Sequence, residues 1–519
     1  RRQRQMCIRD SCGMEQGNDV YENQELPIAA SDVDCILLTH AHIDHSGLIP
    51  LMYVNGFRGQ VYSTSATAQL CEIMLRDSAH IQMFEAEWRN RKAARSGGKL
   101  KEFVPLYDMD AAVNVCKQFV GCEYDRVYDI AEGIKIRFTD VGHLLGSASI
   151  EVWATEKTEN GDVTEKIVFS GDIGNINKPI IKDPKHVRDA DYVVMESTYG
   201  NRSHGGTPNY VEDLTDIFKR TFERGGNVVI PSFAVGRTQE LLYIIRKIKE
   251  DNLVGRDFDV YMDSPLAIEA TNIFIKNVES CFDDEAVELV RKGINPLSFP
   301  GLKYATTGDE SKQINFDPNP KVIISSSGMC EAGRIRHHLK HNLWRPECTI
   351  VFVGYQAVGT TGRIIVDGAE EIKLFGEPIQ IKAEIVQLKG SSGHADKDGL
   401  LCWINAFDTK PKKVFVVHGE DSVCDEFTEC LKEEYGYDAM APYTGGSYDL
   451  IADRVISEGV KERKTRRTTS TQRGKTVFDR LVAAGKRLMT VITHNEGGTN
   501  KDLAKFTDQI NALCDKWDR

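Results

Sequence analysis

The sequence predicts a layered α/β protein, and three observations carry that expectation. Short β-rich runs recur along the chain, each closed by a polar or glycine turn. Helical stretches separate many of them, and nearly every chemically conspicuous side chain follows directly on a strand. Strands alternating with helices build layered sheets, whose ligands sit beyond the carboxyl ends of the strands.

In chain order, the first apolar run is Val33-Asp34-Cys35-Ile36-Leu37-Leu38. A helix carrying Leu70, Ile73, Met74, Ile81 and Met83 reads as core packing. Strands are expected over 166–169, 192–195, 228–230, 322–324, 350–353 and 414–417. Between the second and third, Thr207-Pro208 offers an N-cap with proline at the first helical position, and Gly225-Gly226 closes the helix. Its apolar face is Val211, Leu214, Ile217, Phe218 and Phe222. Hydrophilic stretches around 91–101 and 306–320 mark weaker boundaries. Beyond Ile451 the character changes. The run 461–475 holds seven Lys/Arg and one acid and reads as a solvated linker, and amphipathic stretches follow over about 478–493 and 502–517. The basic, aperiodic first eleven residues are expected to be a non-native lead.

The chain's 519 residues exceed the usual size of a single core. A net charge of −12 excludes whole-molecule attraction to nucleic acid, so any polyanion site must be a local patch or metal-based. Thirteen cysteines without a C-x-x-C pair fit buried thiols in a reducing compartment, and a cytoplasmic location is expected. No apolar run approaches the ~18 residues of a membrane span.

The most informative segment is Thr39-His40-Ala41-His42-Ile43-Asp44-His45-Ser46-Gly47. Neutral imidazole and carboxylate are ligands that Zn²⁺ prefers, and a strand end holds them on a rigid edge. Alternation puts His40 and His42 on one side, while the following turn can swing Asp44 and His45 toward a second point. One metal cannot easily use all four from so short a segment, so the spacing suggests two metals side by side. Four weaker segments also follow strands: Asp140-Val141-Gly142-His143, Ser170-Gly171-Asp172-Ile173-Gly174, Ser392-Gly393-His394-Ala395-Asp396 and Val417-His418-Gly419-Glu420.

Joined in this order, these residues resemble the metallo-β-lactamase superfamily. The resemblance implies one zinc held by His40, His42 and His143, a second by Asp44, His45 and His418, and Asp172 bridging them. Glu196 in Met195-Glu196-Ser197-Thr198-Tyr199-Gly200, His394 and His418 are similar to the three extra motifs of the β-CASP nucleases. So are Pro231-Ser232-Phe233-Ala234-Val235-Gly236-Arg237, Met262-Asp263-Ser264-Pro265, Ser326-Ser327-Gly328-Met329, Gly333-Arg334 and Gly354-Tyr355-Gln356. The match runs over about 12–450 and is most similar to bacterial and archaeal relatives of the polyadenylation endonuclease subunit.

The fold so implied is an αββα sandwich with an inserted α/β cap and a short helical tail. The expected divisions are 1–11 for the lead, 12–202 and 376–452 for the sandwich, 203–375 for the cap, and 453–519 for linker and tail. The implied activity is zinc-dependent hydrolysis of single-stranded RNA. Asp44, Glu196 and His394 are the candidate catalytic groups. His394, paired with a carboxylate such as Glu196, would be held protonated as a general acid. Ser232, Arg237, Ser327, Gly328 and Arg334, at strand-to-helix turns, are candidates for phosphate contact. A homodimer is the assembly allowed for. The rival readings are a small-molecule hydrolase of the same fold, a non-catalytic RNA-binding scaffold and a DNA nuclease.

Overall fold

A computed structural model describes residues 12–14, 28–95, 103–159, 161–203, 205, 209–388, 392–461, 477–495 and 499–517. The expected lead, the stretch about Gly97-Gly98, Thr207-Pro208 and nearly all of the basic run 461–475 lie outside these residues.

The first part of the chain supplies β1 (Cys35–Leu37), β2 (Gln60–Thr64), β3 (Phe119–Cys122), β4 (Val127–Ala131), β5 (Ile134–Asp140), β6 (Ala148–Thr158), β7 (Gly161–Phe169) and β8 (Tyr192–Glu196). The middle supplies β9 (Val228–Pro231), β10 (Asp259–Asp263), β11 (Leu302–Tyr304), β12 (Lys321–Ser325), β13 (Thr349–Phe352), β14 (Glu371–Leu374), β15 (Glu377–Gln380) and β16 (Glu384–Gln387). The chain then returns as β17 (Lys413–Val417) and β18 (Ala439–Met440).

Two sheets form the sandwich. One runs β1-β2-β3; the other runs β18-β17-β8-β7-β6-β5-β4, parallel through its first four strands and antiparallel beyond. Ile136, Phe138, Ile150 and Val152 meet Leu37 and Tyr62 between the sheets. On the other face, period-two alternation turns Val193 and Met195 of β8 and Val414 and Val416 of β17 toward Trp403 and Phe427. Those two rings come from the helices Lys397–Ile404 and Asp421–Glu433. Burying an aromatic of that size stabilises by about 2–3 kcal/mol.

The cap is a parallel sheet ordered β11-β10-β12-β9-β13-β16, whose central strands read as apolar runs because both faces are covered. The sandwich and inserted cap that the resemblance implied are both present. β16 pairs with β13, so the cap sheet extends past residue 375, where its boundary was expected. Among the described residues, no helix is long and apolar enough to cross a membrane.

Three local expectations need correction. The helix Ser65–Arg95 buries Leu70 and Ile73, but Ile81 and Met83 are 49% and 41% exposed. From Ser78 onward the helix faces the 103–107 segment through Ser78, Gln82 and Asn90, and the phase of Ile81 and Met83 turns outward. The helix Tyr210–Glu223 is capped by Asn209, whose side chain accepts from the Glu212 amide. The polar stretch 306–320 is no boundary: it holds the helix Gly308–Phe316, started by a reciprocal Thr307–Glu310 capping box.

Candidate metal centre and active site

The ligand segment is pinned from both sheets before it turns. Beyond β1 the Leu38 amide donates to the Tyr62 carbonyl, and the Thr39 carbonyl accepts from the Ala148 amide. The four-residue helix Ile43–Ser46 then lifts Asp44 and His45 off the strand axis. Ser46 ties this helix back through bonds to the Ala41 and His42 carbonyls. Gly13 lies against the helix so closely that a Cβ there would sit 1.2 Å from the Asp44 carbonyl oxygen. Met14 and Cys12 complete the brace with backbone bonds to Ile43 and Leu48.

The scattered side chains converge on this edge. His40 Nε2 lies 3.1 Å from His42 Nδ1, which lies 3.2 Å from His143 Nε2. Asp172, essentially buried, divides its two oxygens. Oδ2 is 3.3 Å from His40 Nε2 and 3.5 Å from His143 Nε2. Oδ1 is 3.2 Å from His45 Nε2 and 3.4 Å from His418 Nε2. Asp44 closes the second group, with Oδ2 4.0 Å from His418 Nε2. Within each group, His40–His42–His143–Asp172 and Asp44–His45–His418, one donor atom per residue lies within 4.8 Å of every other. The seven residues expected to be ligands are therefore brought together.

Burial drives His42 down to about 3 and His143 well below the usual imidazole range, which leaves their nitrogen lone pairs free to ligate. Burial opposes the charge on Asp172, but His45, His418 and His40 outweigh it and hold the carboxyl well below its ordinary value. His45 Nε2 and Asp172 Oδ1 are buried without a hydrogen-bond partner, each aimed into the second group. Two unpartnered lone-pair atoms in a cage of imidazole and carboxylate are what a divalent cation would satisfy. The donor set suits zinc.

Beside this cluster, the His394 Nδ1 atom lies 3.1 Å from Glu196 Oε2. Glu196 is 1% exposed and also accepts from the Ile173 amide, so its carboxylate is fixed by the strand end that carries Asp172. Burial works against protonation of His394, but Glu196 and then Asp172 lift it to about 9. His143 Nδ1 faces the Gly393 carbonyl at 3.1 Å, which joins the loop of His394 to the metal cluster.

The candidate phosphate contacts are distributed otherwise. All five follow β9 or β12, at the carboxyl edge of the cap sheet. Ser232 is buried and bonded within its own loop, to Thr238 and the Phe233 carbonyl. Ser327 exchanges bonds with Ala332, and Gly328 is buried. Arg237 pairs with Glu240 at 2.6 Å, and Arg334 binds Asp263 at 2.7 Å and the Ala305 and Thr306 carbonyls. The structure thus uses both arginines inside the cap. The helix Ile335–Asn342, whose Arg336, His337, Lys340 and His341 make it cationic, also carries the buried His338, which bonds Asp263 at 2.6 Å. Lys178 and Glu240 beside His143 went unnoticed in the sequence, where a loop lysine and a helical glutamate read as surface.

Residues 238–365 match the Beta-Casp domain, and residues 378–442 match the Zn-dependent metallo-hydrolase RNA specificity domain. The chain is 34% identical over 411 residues to ribonuclease TTHA0252 of Thermus thermophilus, an alignment covering 79% of this chain and 87% of that protein. It is 31% identical to an RNase J-like protein of Methanocaldococcus jannaschii, over 79% and 86% of the two chains. It is 32% identical to the transcription termination factor FttA of Methanosarcina mazei, covering 83% of this chain and 66% of that one. Two family domains, a relative matched over most of both chains, and a histidine–aspartate cluster at the strand ends agree: the chain belongs to the metallo-β-lactamase/β-CASP ribonuclease family.

Proposed function

We propose that the protein is a dizinc ribonuclease that hydrolyses phosphodiester bonds of single-stranded RNA in the cleft between sandwich and cap. The observation that carries this reading is the division of Asp172, with one oxygen turned to His40 and His143 and the other to His45 and His418. Such a carboxylate is built to serve two cations at once. His40, His42 and His143 would hold one zinc, Asp44, His45 and His418 the other, and Asp172 would bridge them. Zinc bound there supplies Lewis-acid polarisation and brings the pKa of water to about 7.

The chain's own groups do the rest. Asp44, its side chain 39% exposed at the rim, can orient a water and accept its proton. His394, aimed by Glu196, delivers a proton to the departing 3′-oxygen, so the product keeps a 5′-phosphate. The Ser232, Gly236, Arg237 and Ser327 amides already donate within the cap, and both arginines are engaged there, so the Gly328, Phe233 and Ala234 amides are the candidate phosphate contacts. Ribonuclease names among the relatives, and an RNA specificity domain over 378–442, support RNA as the substrate.

His42→Ala and Asp172→Ala proteins are expected to lose zinc and RNA cleavage together. Matched end-labelled RNA and DNA oligonucleotides, with zinc quantified in parallel, make the test. Retained cleavage in either variant refutes the assignment, and preference for the DNA strand moves the substrate class.

A further inference from the structure

One loop ties sandwich and cap together. It starts at Asp172, forms a bridge between Gly174 and His394, and donates from the Asn175 amide to the Gly393 carbonyl. Farther on, Ile180 and Lys182 exchange backbone bonds with Asp283 and Cys281 of the cap. Between these ends stands Lys178. Its ammonium donates to the His143 carbonyl at 2.9 Å and pairs with Glu240 of the cap at 3.4 Å. The other Glu240 oxygen takes Arg237 at 2.6 Å. The side chains of Lys178, Glu240 and Arg237 are 11%, 10% and 16% exposed, so three charges lie in a nearly dry seam. Leu144, next to His143, closes the seam against Gly236.

Stability alone does not account for such a cluster. Buried ion pairs are poor stabilisers, and apolar side chains of equal volume would hold the seam as well or better. What a lysine adds is direction: a charged donor aimed at one carbonyl, with a fixed anchor behind it.

On the ribonuclease reading, we propose that Lys178 is a positioning residue, anchored by Glu240 of the cap, that fixes the main chain of His143 and with it the loop of His394. It touches neither substrate nor reacting atoms. Its effect passes through His143, whose ring meets Gly393. Seating of the cap and alignment of the catalytic groups are thereby one event, and the loss of either partner loosens both.

Lys178→Met keeps the stem and leaves Glu240 paired with Arg237, so no charge is stranded. It is expected to keep its zinc and a KM within about threefold of the parent, while kcat falls about tenfold or more, since misplacing a catalytic group by ~1 Å can cost ~10²-fold. Glu240→Gln should show the same split together with a lower unfolding midpoint, because it leaves the Lys178 and Arg237 charges without their anion, and Lys178→Arg should recover most of kcat. Hydrogen exchange should quicken in peptides covering 142–146 and 175–181 of Lys178→Met, and not in β9 or β12. The proposal is overturned if zinc-loaded Lys178→Met turns over at the parental rate, if its loss falls wholly in KM or zinc content, or if the two peptides exchange as before. Should the parent not cleave RNA at all, the ribonuclease reading fails, and the exchange contrast still decides the role of Lys178.

Discussion

Replacing Glu196 by glutamine separates charge from shape at the candidate acid. Glutamine preserves volume and can still accept from the Ile173 amide, but it presents no charge to His394 Nδ1, 3.1 Å away. Two unit charges about 4 Å apart at an effective dielectric of about 20 attract by roughly 4 kcal/mol. That attraction keeps His394 in its donating form, and a general acid contributes ~10²–10⁴-fold to rate. Single-turnover cleavage of end-labelled RNA by Glu196→Gln should therefore slow by ~10²–10³-fold, with zinc content unchanged. His394→Ala should lose ~10²–10⁴-fold with metal retained, and the double variant should be no worse than the poorer single one, because both act through one proton. Glu196→Ala adds a separate penalty, a buried Ile173 N–H without an acceptor, worth ~1–3 kcal/mol of stability. A Glu196→Gln protein cutting at the parental rate would refute the reasoning. Loss of zinc would make Glu196 a ligand rather than the partner of an acid.

Two other outcomes follow from the surroundings of the centre. Burial lifts the Asp140 carboxyl from 3.8 to about 7, against the bond it accepts from the Gly142 amide. The folded protein then keeps a proton that the unfolded chain releases above about pH 4, so stability is highest below that pH and falls as pH rises toward 7. Asp140→Asn keeps the acceptor and removes that slope. It should raise the unfolding free energy obtained from urea titration at pH 8, by up to about 4 kcal/mol, and by much less at pH 5. An equal effect at both pH values would sink the argument. Gly13→Ala, with its Cβ driven against the Asp44 carbonyl, should displace Asp44 and His45 and, on the dizinc reading, lower the zinc content from two per chain toward one. Full occupancy would show that the brace yields elsewhere.

Much of the fold was legible because strands buried on both faces leave an unmistakable apolar signature. Val228-Val229-Ile230 and Val322-Ile323-Ile324 are examples, and both lie at the centre of the cap sheet. The clustering of the candidate ligands was legible for a related reason: polar side chains placed directly after such strands have few structural uses. Phase along the long helix was not legible, since Ile81 and Met83 fit a buried face as well as Leu70 does, and their outward turn depends on a segment packed against the helix from elsewhere. The Thr307–Glu310 box was a readable sign passed over among polar neighbours. Arg237 and Arg334 show the opposite failure. An arginine beside a glycine at a strand end looks free to grip phosphate, and the acids that occupy it, Glu240 and Asp263, come from the next helical turn and from a neighbouring strand.

The register of β17 against β8 puts Val417 opposite Glu196, and Thr198 bonds the His418 carbonyl across 220 residues of sequence. The whole cap must be synthesised before that partnership can exist. A chain emerging from a ribosome thus carries His40, His42, Asp44, His45, His143 and Asp172 long before His418 arrives, and for that interval the second group lacks one of its three members. Closure of the second group, Asp44–His45–His418, is thereby tied to completion of the fold.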